Sequence, residues 1–444
     1  MQLINYFYAV SDNEEEIIRK IIDEVHSHTL SVELAARLLA SGFSELQELL
    51  HELQNTKSVL HTDDKINLVK DGTSSKATYY EHIHKLVSLF GLSERSTSIM
   101  RSMTLIPHEG ILPRLFAKWL GLYNLNEINE LIEYGFIQTN EYRKISLHPL
   151  IQEIAVDDTK PSVTNCSELI GSLHELCLFH GLDLPYHELM FKIIGNIILL
   201  AEKDNQETYL LFLKDAFPYM EKYAYRSGME LIIAELENLI KQFDYGAVEK
   251  AMLLDYKAAY EHICNQNHKK ALQYETQAVK YCDEILNINP HLAANIYDNI
   301  GGLCHSEGYT DKAKYYMEQA YMILSEYNLQ YTNDSVIMIS NYANLLANVG
   351  EPERALKALE VCAKAVREYN SADSSDYANL LWDTGCIYLQ VGNRNKAVVR
   401  FKAALEIYTE LWANEPELIN AKIAELKNMA AIYGMNTQNL ITAI

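Results

Sequence analysis

Residues 296–320 read IYDNIGGLCHSEGYTDKAKYYMEQA, and the same pattern returns as MISNYANLLANVGEPERALKALEVC at 338–362 and NLLWDTGCIYLQVGNRNKAVVRFKAA at 379–404. Four alanines mark its period of 42 residues: Ala271, Ala313, Ala355 and Ala397. A fixed period of this length indicates a solenoid, because each helix–turn–helix unit can bury its apolar face only against its neighbours. The period therefore predicts an extended binding surface.

Small residues occur where two helices must approach each other closely. They lie twelve residues before and seven after the alanines: Ala259, Gly301, Ala343 and Gly385, then Ala278, Ala320, Cys362 and Ala404. Gly308, Gly350 and Gly392 allow the turn between helices a positive φ, whereas the first unit has Gln266 there and is the weakest match. This alternation resembles the tetratricopeptide repeat, in the 42-residue variety of kinesin light chains.

The N-terminal third predicts a different module. Residues 12–57 indicate two helices, NEEEIIRKIIDEVHSHT and SVELAARLLASGFSELQELLHELQ, the second with Ser31 as its N-cap. The polar DGTSS within 65–87 predicts a surface loop. Three helices are then expected before two short strands, FIQTN and RKISLHP, with Ile145 and Leu147 facing inward. Three helices followed by a two-stranded wing are typical of a winged-helix domain.

Several motifs of this module occur in the order of a known family. LFGLS, IMRSMTLIPHEGILPRLFAKWLGL, INELIEYGFIQ and ISLHPLIQEIA resemble the winged-helix domain of bacterial STAND ATPases, the signalling family that includes the NB-ARC and NLR proteins. IIDEVHSHTLSVELAARLL resembles the end of the helical lid before that domain. In this family, tetratricopeptide repeats often serve as the sensor.

We therefore predict an all-α fold in which a small helical and winged-helix module precedes a right-handed α-solenoid of tetratricopeptide repeats. The expected division is a lid-like segment (1–60), a winged-helix-like domain (61–157), degenerate helical repeats (158–250), tetratricopeptide repeats (251–436) and a C-terminal cap or truncated helix (437–444).

The nucleotide motifs of the family are missing from the sequence. None of the 444 residues forms a P-loop, G-x-x-x-x-G-K-[ST], and no Walker B segment follows. We therefore expect no enzymatic activity, and ATP or ADP only with an upstream nucleotide-binding domain. Either the chain is a truncated product that lacks this domain, or it is a free-standing relative that lost it.

The family resemblance also implies a role for His148. In the family, a histidine near the end of the winged helix contacts the β-phosphate of ADP, and Leu147-His148-Pro149 occupies that place here. The resemblance thus implies a nucleotide-sensing role for His148 once the missing domain is present, although Pro149 stands where plant and animal members have Asp. The alternative is that His148 ends a strand and caps the next helix, with Pro149 in its first turn.

Helix A of each tetratricopeptide pair is expected to line a concave face that binds a protein or peptide ligand. The alanine register places twelve residues there: Tyr256, Lys257, Tyr260, Asn295, Asp298, Asn299, Ser340, Asn341, Asn344, Asn379, Trp382 and Asp383. Asparagine offers a donor and an acceptor to an extended peptide backbone, and aromatic rings would add apolar contact. The alternative is that asparagine is only a tolerated residue on an exposed helix.

The amino-acid composition and charge of the chain argue against several classes of partner. The net charge of −22 argues against binding to nucleic acid, and no run is apolar enough to span a membrane. The seven cysteines are scattered and predict buried, reduced thiols, while His26, His28, His82 and His84 lack metal-ligand companions and are expected to face solvent. A cytoplasmic location follows, without metal, membrane or nucleic acid.

Two functions remain open. The first is the non-enzymatic sensor region of a STAND-type signal-transduction ATPase, whose repeats bind a trigger and whose winged helix relays the event. The family then implies oligomers, and a role in antiphage defence or transcriptional control in bacteria. The second is a stand-alone cytosolic repeat scaffold or peptide receptor. A DNA-binding winged helix is disfavoured because its recognition segment, NLNEINELIEYG, is acidic.

Overall fold

The computed structural model describes residues 1–25, 27–55, 82–88, 90–178, 186–368 and 374–434. Most of these residues are helical, as predicted, and the two strands among them are β1 (Ile137–Thr139) and β2 (Ile145–Leu147). The chain forms two compact units, Met1–Tyr219 and Met220–Ile444. No helix in the described ranges is long and apolar enough to cross a membrane.

The first unit begins with four helices, Gln2–Phe7, Glu15–Glu24, Thr29–Ala40 and Leu46–Gln54. The single helix predicted over residues 31–54 is therefore wrong. The chain leaves the helix at Gly42, which has a φ of +73°. The Gly42 and Phe43 N–H groups donate to the carbonyls of Leu39 and Leu38, which is a Schellman motif. The predicted loop DGTSS lies outside the described residues.

The start of the third helix also differs from the prediction. Its N-cap is His28, and Ser31 lies inside the first turn with a buried side chain. The hydroxyl of Ser31 lies 3.2 Å from Nδ1 of His28. Ser31 thus contacts the capping residue and is not the cap itself.

The helices that precede the strands follow in the order expected from the sequence. Residues 82–88 are helical, and the helices Glu94–Met103, Pro113–Trp119 and Asn126–Glu133 follow. Strands β1 and β2 pair antiparallel with Ile137 opposite Leu147, and Ile111 forms a further bridge to Ile145. Ile145 and Leu147 are buried, which confirms the inward positions predicted for them.

Four further helices complete the first unit and lead out of it. Their bounds are Pro149–Thr159, Ser167–Leu178, His187–Leu200 and Gln206–Lys222. The last of these crosses the division between the units at Tyr219 and Met220. Apolar side chains of the two middle helices fill the core beside them, and Ile193, Ile194 and Ile197 are fully buried.

The second unit continues from that helix through Arg226–Phe243 into four helix pairs, each with a helix A and a helix B. Pair 1 is Ala247–Ile263 with His268–Ala278, pair 2 is Pro290–Ser306 with Thr310–Glu326, pair 3 is Asn333–Asn348 with Pro352–Glu368, and pair 4 is Ser375–Gln390 with Arg394–Leu411. Short helical pieces, Val279–Tyr281 and Cys282–Ile285, follow pair 1, and Pro416–Tyr433 is the last described helix. The predicted cap at 437–444 lies outside the described residues.

The four alanines of the period pack at the centre of these pairs, and all four are fully buried. A Cβ on Gly301 would lie 2.6 Å from Cγ of Met317, and one on Gly385 would lie 2.7 Å from the ring of Phe401. Such distances leave no room for a side chain. The close approach predicted for these two positions is confirmed.

The turns between helix A and helix B also follow the prediction. Gly308, Gly350 and Gly392 have φ values of +81°, +85° and +77°. Gln266 stands at the same position in pair 1 and also has a positive φ, +50°. The turn geometry is therefore kept even where glycine is absent, at a conformational cost of about 1 kcal/mol.

Candidate functional site

Polar side chains connect each helix A with the next one along the stack. We call the surface that carries them the helix-A face, formed by positions 255–260, 295–299, 340–344 and 379–383. In pair 1, Asp255 accepts hydrogen bonds from Nδ2 of two asparagines of pair 2, Asn295 at 3.2 Å and Asn299 at 2.8 Å. The register of the repeats places those asparagines on helix A of the next pair, where they reach the carboxylate of Asp255.

The same kind of bond joins the later pairs. Asn341 of pair 3 donates through Nδ2 to Oδ2 of Asp298 in pair 2 at 3.0 Å. Asn344 of pair 3 donates to Oδ2 of Asp383 in pair 4 at 3.1 Å. Every neighbouring combination of pairs 1 to 4 therefore has at least one amide–carboxylate bond on this face.

The predicted face residues differ in exposure. Asn341, Asn344 and Asn379 are exposed, while Asn295 and Asn299 are half-buried. An asparagine amide has two N–H donors and a carbonyl acceptor. In Asn295, Asn299, Asn341 and Asn344 the bond to aspartate uses one N–H donor, so the second N–H and the amide oxygen lie outside these bonds.

Two of the three aromatic residues predicted for the face, Trp382 and Tyr256, are buried, and Tyr260 is half-buried. Trp382 is 3% exposed, and its ring packs on Phe401 with centroids 4.9 Å apart. Its Nε1 donates to Glu425 of the last described helix at 3.1 Å, and Nζ of Lys422 lies 4.7 Å above its ring. The predicted face residues that are exposed, Asn341, Asn344 and Asn379, are all polar.

The remaining predicted residues contact other parts of the unit. Lys257 forms an ion pair with Glu237 of the preceding helix, Arg226–Phe243. The hydroxyl of Tyr260 donates to Glu230 and accepts from Arg226 in the same helix. The structure thus ties these two side chains of pair 1 to the helix before it.

One further predicted residue contacts helix B of its own pair. The amide oxygen of Asn379 accepts from the hydroxyl of Tyr408.

Pair 1 contains two buried carboxyl groups, on Asp255 and Glu275, that were not predicted from the sequence. Asp255 and Glu275 are buried, with 4% and 1% of their surface exposed, and their carboxyls hydrogen bond each other. Such a bond requires a proton on one of them. A signal was available, because the equivalent positions in the next repeats hold apolar residues: Tyr297, Ile339 and Leu381 for the first, and Met317, Leu359 and Phe401 for the second.

Burial shifts the acid groups of the face toward their neutral forms. It raises the pKa of Asp298 to about 7, against the opposing effect of the hydrogen bond from Asn341. Burial also raises the pKa of Asp255 and, together with the charge of Asp255, raises that of Glu275 well above its usual range. Burial raises the pKa of Asp383 too, while the bond from Asn344 and the charge of Lys422 lower it. No group of three or more histidine, cysteine, aspartate or glutamate residues in the described ranges could hold a metal ion.

His148 is the N-cap of the helix Pro149–Thr159. Its Nδ1 accepts from the backbone N–H of Leu150 at 3.2 Å, and Pro149 is the first helical residue. The capping interpretation of this histidine is therefore confirmed. Burial lowers the pKa of His148, and the nearby His28 lowers it further, which favours the neutral acceptor form at neutral pH.

The other histidines singled out in the sequence are not alike. Nε2 of His84 lies 2.8 Å from a carboxylate oxygen of Asp158, and the side chain is partly exposed. His82 is 4% exposed, so the prediction that it faces solvent is wrong, because its helix places it against the core. His28 is half-buried, and His26 lies outside the described residues.

Comparison with known proteins agrees with the repeat architecture. Residues 334–410, within pairs 3 and 4, match the family model of the tetratricopeptide repeat. No curated protein matches the chain. Among solved structures, it is similar to a signal transduction ATPase with numerous domains and a tetratricopeptide repeat sensor from Pyrococcus horikoshii, with 16% identity and a TM-score of 0.41 over 95% of this chain and 59% of that one. The chain therefore spans less than two thirds of that ATPase.

Two Rap proteins are similar to the chain in the same way. The apo form of RapI has 18% identity and a TM-score of 0.41 over 61% of this chain and 74% of that one. A Rap protein complexed with competence and sporulation factor has 10% identity and a TM-score of 0.39 over 95% of this chain and 100% of that one. What the family match establishes is the repeat type, and residues 334–410 are tetratricopeptide repeats.

Proposed function

We propose that this chain is a non-enzymatic binding region whose helix-A face takes an extended segment of a protein or peptide. The observation that carries the proposal is the row of asparagines that aspartates of neighbouring pairs hold in place, above all Asn299 and Asn341. Because one N–H of each amide is bound to a carboxylate, the amide plane is oriented before a ligand arrives. Groups that are ordered in advance lose less entropy on binding.

The match of residues 334–410 to the tetratricopeptide repeat model supports a role in protein interaction. A peptide backbone has alternating N–H and C=O groups, and the remaining donor and acceptor of each amide complement both. The polar face would therefore recognise the backbone, and specificity would depend on side chains at particular positions. The buried Trp382 and Tyr256 support the frame of this face.

We propose further that the first unit relays binding to a nucleotide domain, as the sensor region of a STAND-type signal-transduction ATPase. Three helices followed by an antiparallel hairpin support a winged-helix domain there. His148 would cap its helix in this chain and sense ATP or ADP when an upstream domain is present. A stand-alone scaffold or peptide receptor is the alternative. An in-frame upstream P-loop domain in the gene would decide for the STAND-type sensor region.

We place this function in the cytoplasm. All seven cysteines are unpaired, and five of them are buried. Burial raises the pKa of Cys177 and of Cys362 to about 12, so neither thiol is reactive. Unpaired thiols persist in a reducing compartment.

The test is selection from a displayed library of random peptides on the full chain, followed by calorimetry with the selected peptides. We expect the double variant Asn299→Ala/Asn341→Ala to lose at least about tenfold in affinity, because each lost bond to a polar ligand costs about 1 kcal/mol. The matched control, Asn395→Ala/Asn428→Ala, removes two exposed asparagines from other helices and should bind as the wild type does. Equal affinity of the two double variants would exclude the asparagine row as the binding surface.

A further inference from the structure

Pair 1 has carboxyl groups at two positions where the other repeats have apolar residues. Asp255 and Glu275 occupy the register places of core residues in pairs 2 to 4, and both are buried. A buried pair of carboxyls is costly, and apolar residues of similar volume at such sites are often neutral or stabilising. Positions that break the local rule of a fold without a compensating gain are expected at functional sites.

Among the described residues of the second unit, three buried polar atoms lack a hydrogen-bond partner, one in each of pairs 1 to 3. They are Oε2 of Glu275, Oδ1 of Asp298 and Oγ of Ser340. Asp298 and Ser340 hold the same register position in successive repeats, and Asn341, next to Ser340, is bound to Asp298. An unsatisfied buried polar group costs about 1–3 kcal/mol, so one such group in each of three successive pairs requires an explanation.

Hydrogen bonds and adjacent positions in the sequence relate these groups to one another. Glu275 is bound to Asp255, Asp255 accepts from Asn299, and Asn299 follows Asp298 in the same helix. We call Glu275, Asp255, Asp298 and Ser340 the acidic row. Among the described residues, no lysine or arginine forms an ion pair with any carboxyl of this row.

We infer that the acidic row receives a cationic side chain, arginine or lysine, of the bound segment. The inference rests on the proposed function and names the chemistry of its ligand. A guanidinium has five donors and an ammonium has three, so either has enough donors for the unpartnered oxygen of Asp298 and for the hydroxyl of Ser340. Asn341 is exposed and bound to the other oxygen of Asp298, so the cation would enter beside this amide and leave its bond intact.

The charge of the chain is consistent with such a ligand. The net charge is −22, which attracts a cationic segment over a distance before contact. Burial raises the pKa of Asp298 to about 7, so part of this carboxyl is protonated at neutral pH. A bound cation favours the ionised carboxylate and opposes the effect of burial. Binding should therefore release a proton near neutral pH.

The experiment titrates the ¹⁵N-asparagine-labelled chain with N-acetyl-arginine methylamide and records the side-chain amide signals of Asn299 and Asn341. We expect saturable shifts of both signals, and weaker ones or none with the uncharged analogue N-acetyl-citrulline methylamide. The lysine analogue shows whether an ammonium serves as well. Asp298→Asn keeps the shape of the side chain and should weaken arginine binding at least about tenfold, and Glu275→Gln is the second variant. Asp311→Asn removes an exposed carboxylate from helix B of pair 2 and should change nothing.

Equal shifts with arginine and citrulline, no saturable shift, or unchanged binding by both carboxyl variants would each overturn the inference. The peptide selection above distinguishes the two proposals. Selected peptides without a basic residue at a fixed position would retain the proposed function and refute this inference. Arginine binding without any selected peptide would do the reverse.

Discussion

Two neighbouring glycines in helix A of pair 2 should respond oppositely to the same substitution. A Cβ on Gly301 would lie 2.6 Å from Cγ of Met317 and 3.3 Å from both the carbonyl oxygen of Ala313 and the backbone nitrogen of Met317. A Cβ on Gly302 would meet nothing within 4 Å. Gly301→Ala therefore tests how tightly the two helices pack, and Gly302→Ala is its matched control.

Two effects determine the change in the free energy of unfolding of each variant. Alanine in place of glycine inside a helix stabilises it by about 0.5–1 kcal/mol, and this gain applies equally to both positions. Overpacking costs about 1–3 kcal/mol and applies only to Gly301, where backbone atoms cannot move away. We expect Gly302→Ala to be more stable than the wild type by up to about 1 kcal/mol. Gly301→Ala should lie about 1–3 kcal/mol below Gly302→Ala.

The assay is thermal and urea unfolding of the full chain, followed by circular dichroism. For units of this size, about 1 kcal/mol corresponds to roughly 2–4 °C in Tm, so the two variants should differ by several degrees. The order of the variants is the decisive readout, because repeat arrays do not always unfold in a single step. If Gly301→Ala were as stable as Gly302→Ala, the close contact of helices A and B would be refuted.

The remaining predictions concern helix packing in pair 4, the ionisation of Asp298 and the N-cap His148. Gly385→Ala should be about 1–3 kcal/mol less stable than Gly302→Ala in urea unfolding, since its Cβ would lie 2.7 Å from the ring of Phe401; equal stability of these two variants would contradict the packing of pair 4. The pKa of Asp298 is raised to about 7 from an ordinary value of about 3.9. The free energy of unfolding of the wild type relative to Asp298→Asn should therefore fall as the pH rises from about 4 to about 7, by at most about 1.4 kcal/mol per pH unit, and then stay level. Urea midpoints of the two proteins that run parallel across this range would refute the shift. By the same pKa, the arginine probe should bind about tenfold more tightly at pH 8 than at pH 6 in calorimetry, whereas a pH-independent affinity would show that Asp298 is not its partner. His148→Ala should lose about 1 kcal/mol in thermal unfolding because Leu150 loses its capping acceptor, and His148→Asn should restore it; failure of the restoration would mean that the histidine stabilises the chain by another contact.

The repeat frame could be predicted from the sequence because its period fixes burial and turn geometry together. The buried Ala313 and Ala355, and the positive φ of Gly308 and Gly350, all follow from one register. The N-terminal helices lack such a period, and one predicted helix turned out to be two. Gly42 carried the signal for this break, since glycine after a helix commonly adopts a positive φ and ends it.

The site was predictable in position and less so in its contacts. The register placed Asn299 and Asn341 on the helix-A face, but their partners lie on other helices, and spacing alone does not say which side chains meet. Glu275 was missed because it belongs to helix B, where no face residue was sought. Its place among apolar residues of the other repeats could have revealed it.

The amide–carboxylate bonds between pairs have a consequence for the number of repeats. Excision of residues 309–350 would remove one period and join Gly308 directly to Glu351, which preserves both the turn and the helix phase. In the shortened array, however, Asp383 would take the register position of Asn341 next to Asp298, and two carboxylates would replace an amide and a carboxylate. The order of amides and acids along the chain thus specifies which pair stacks on which, and it selects against loss of this unit by recombination between the repeats.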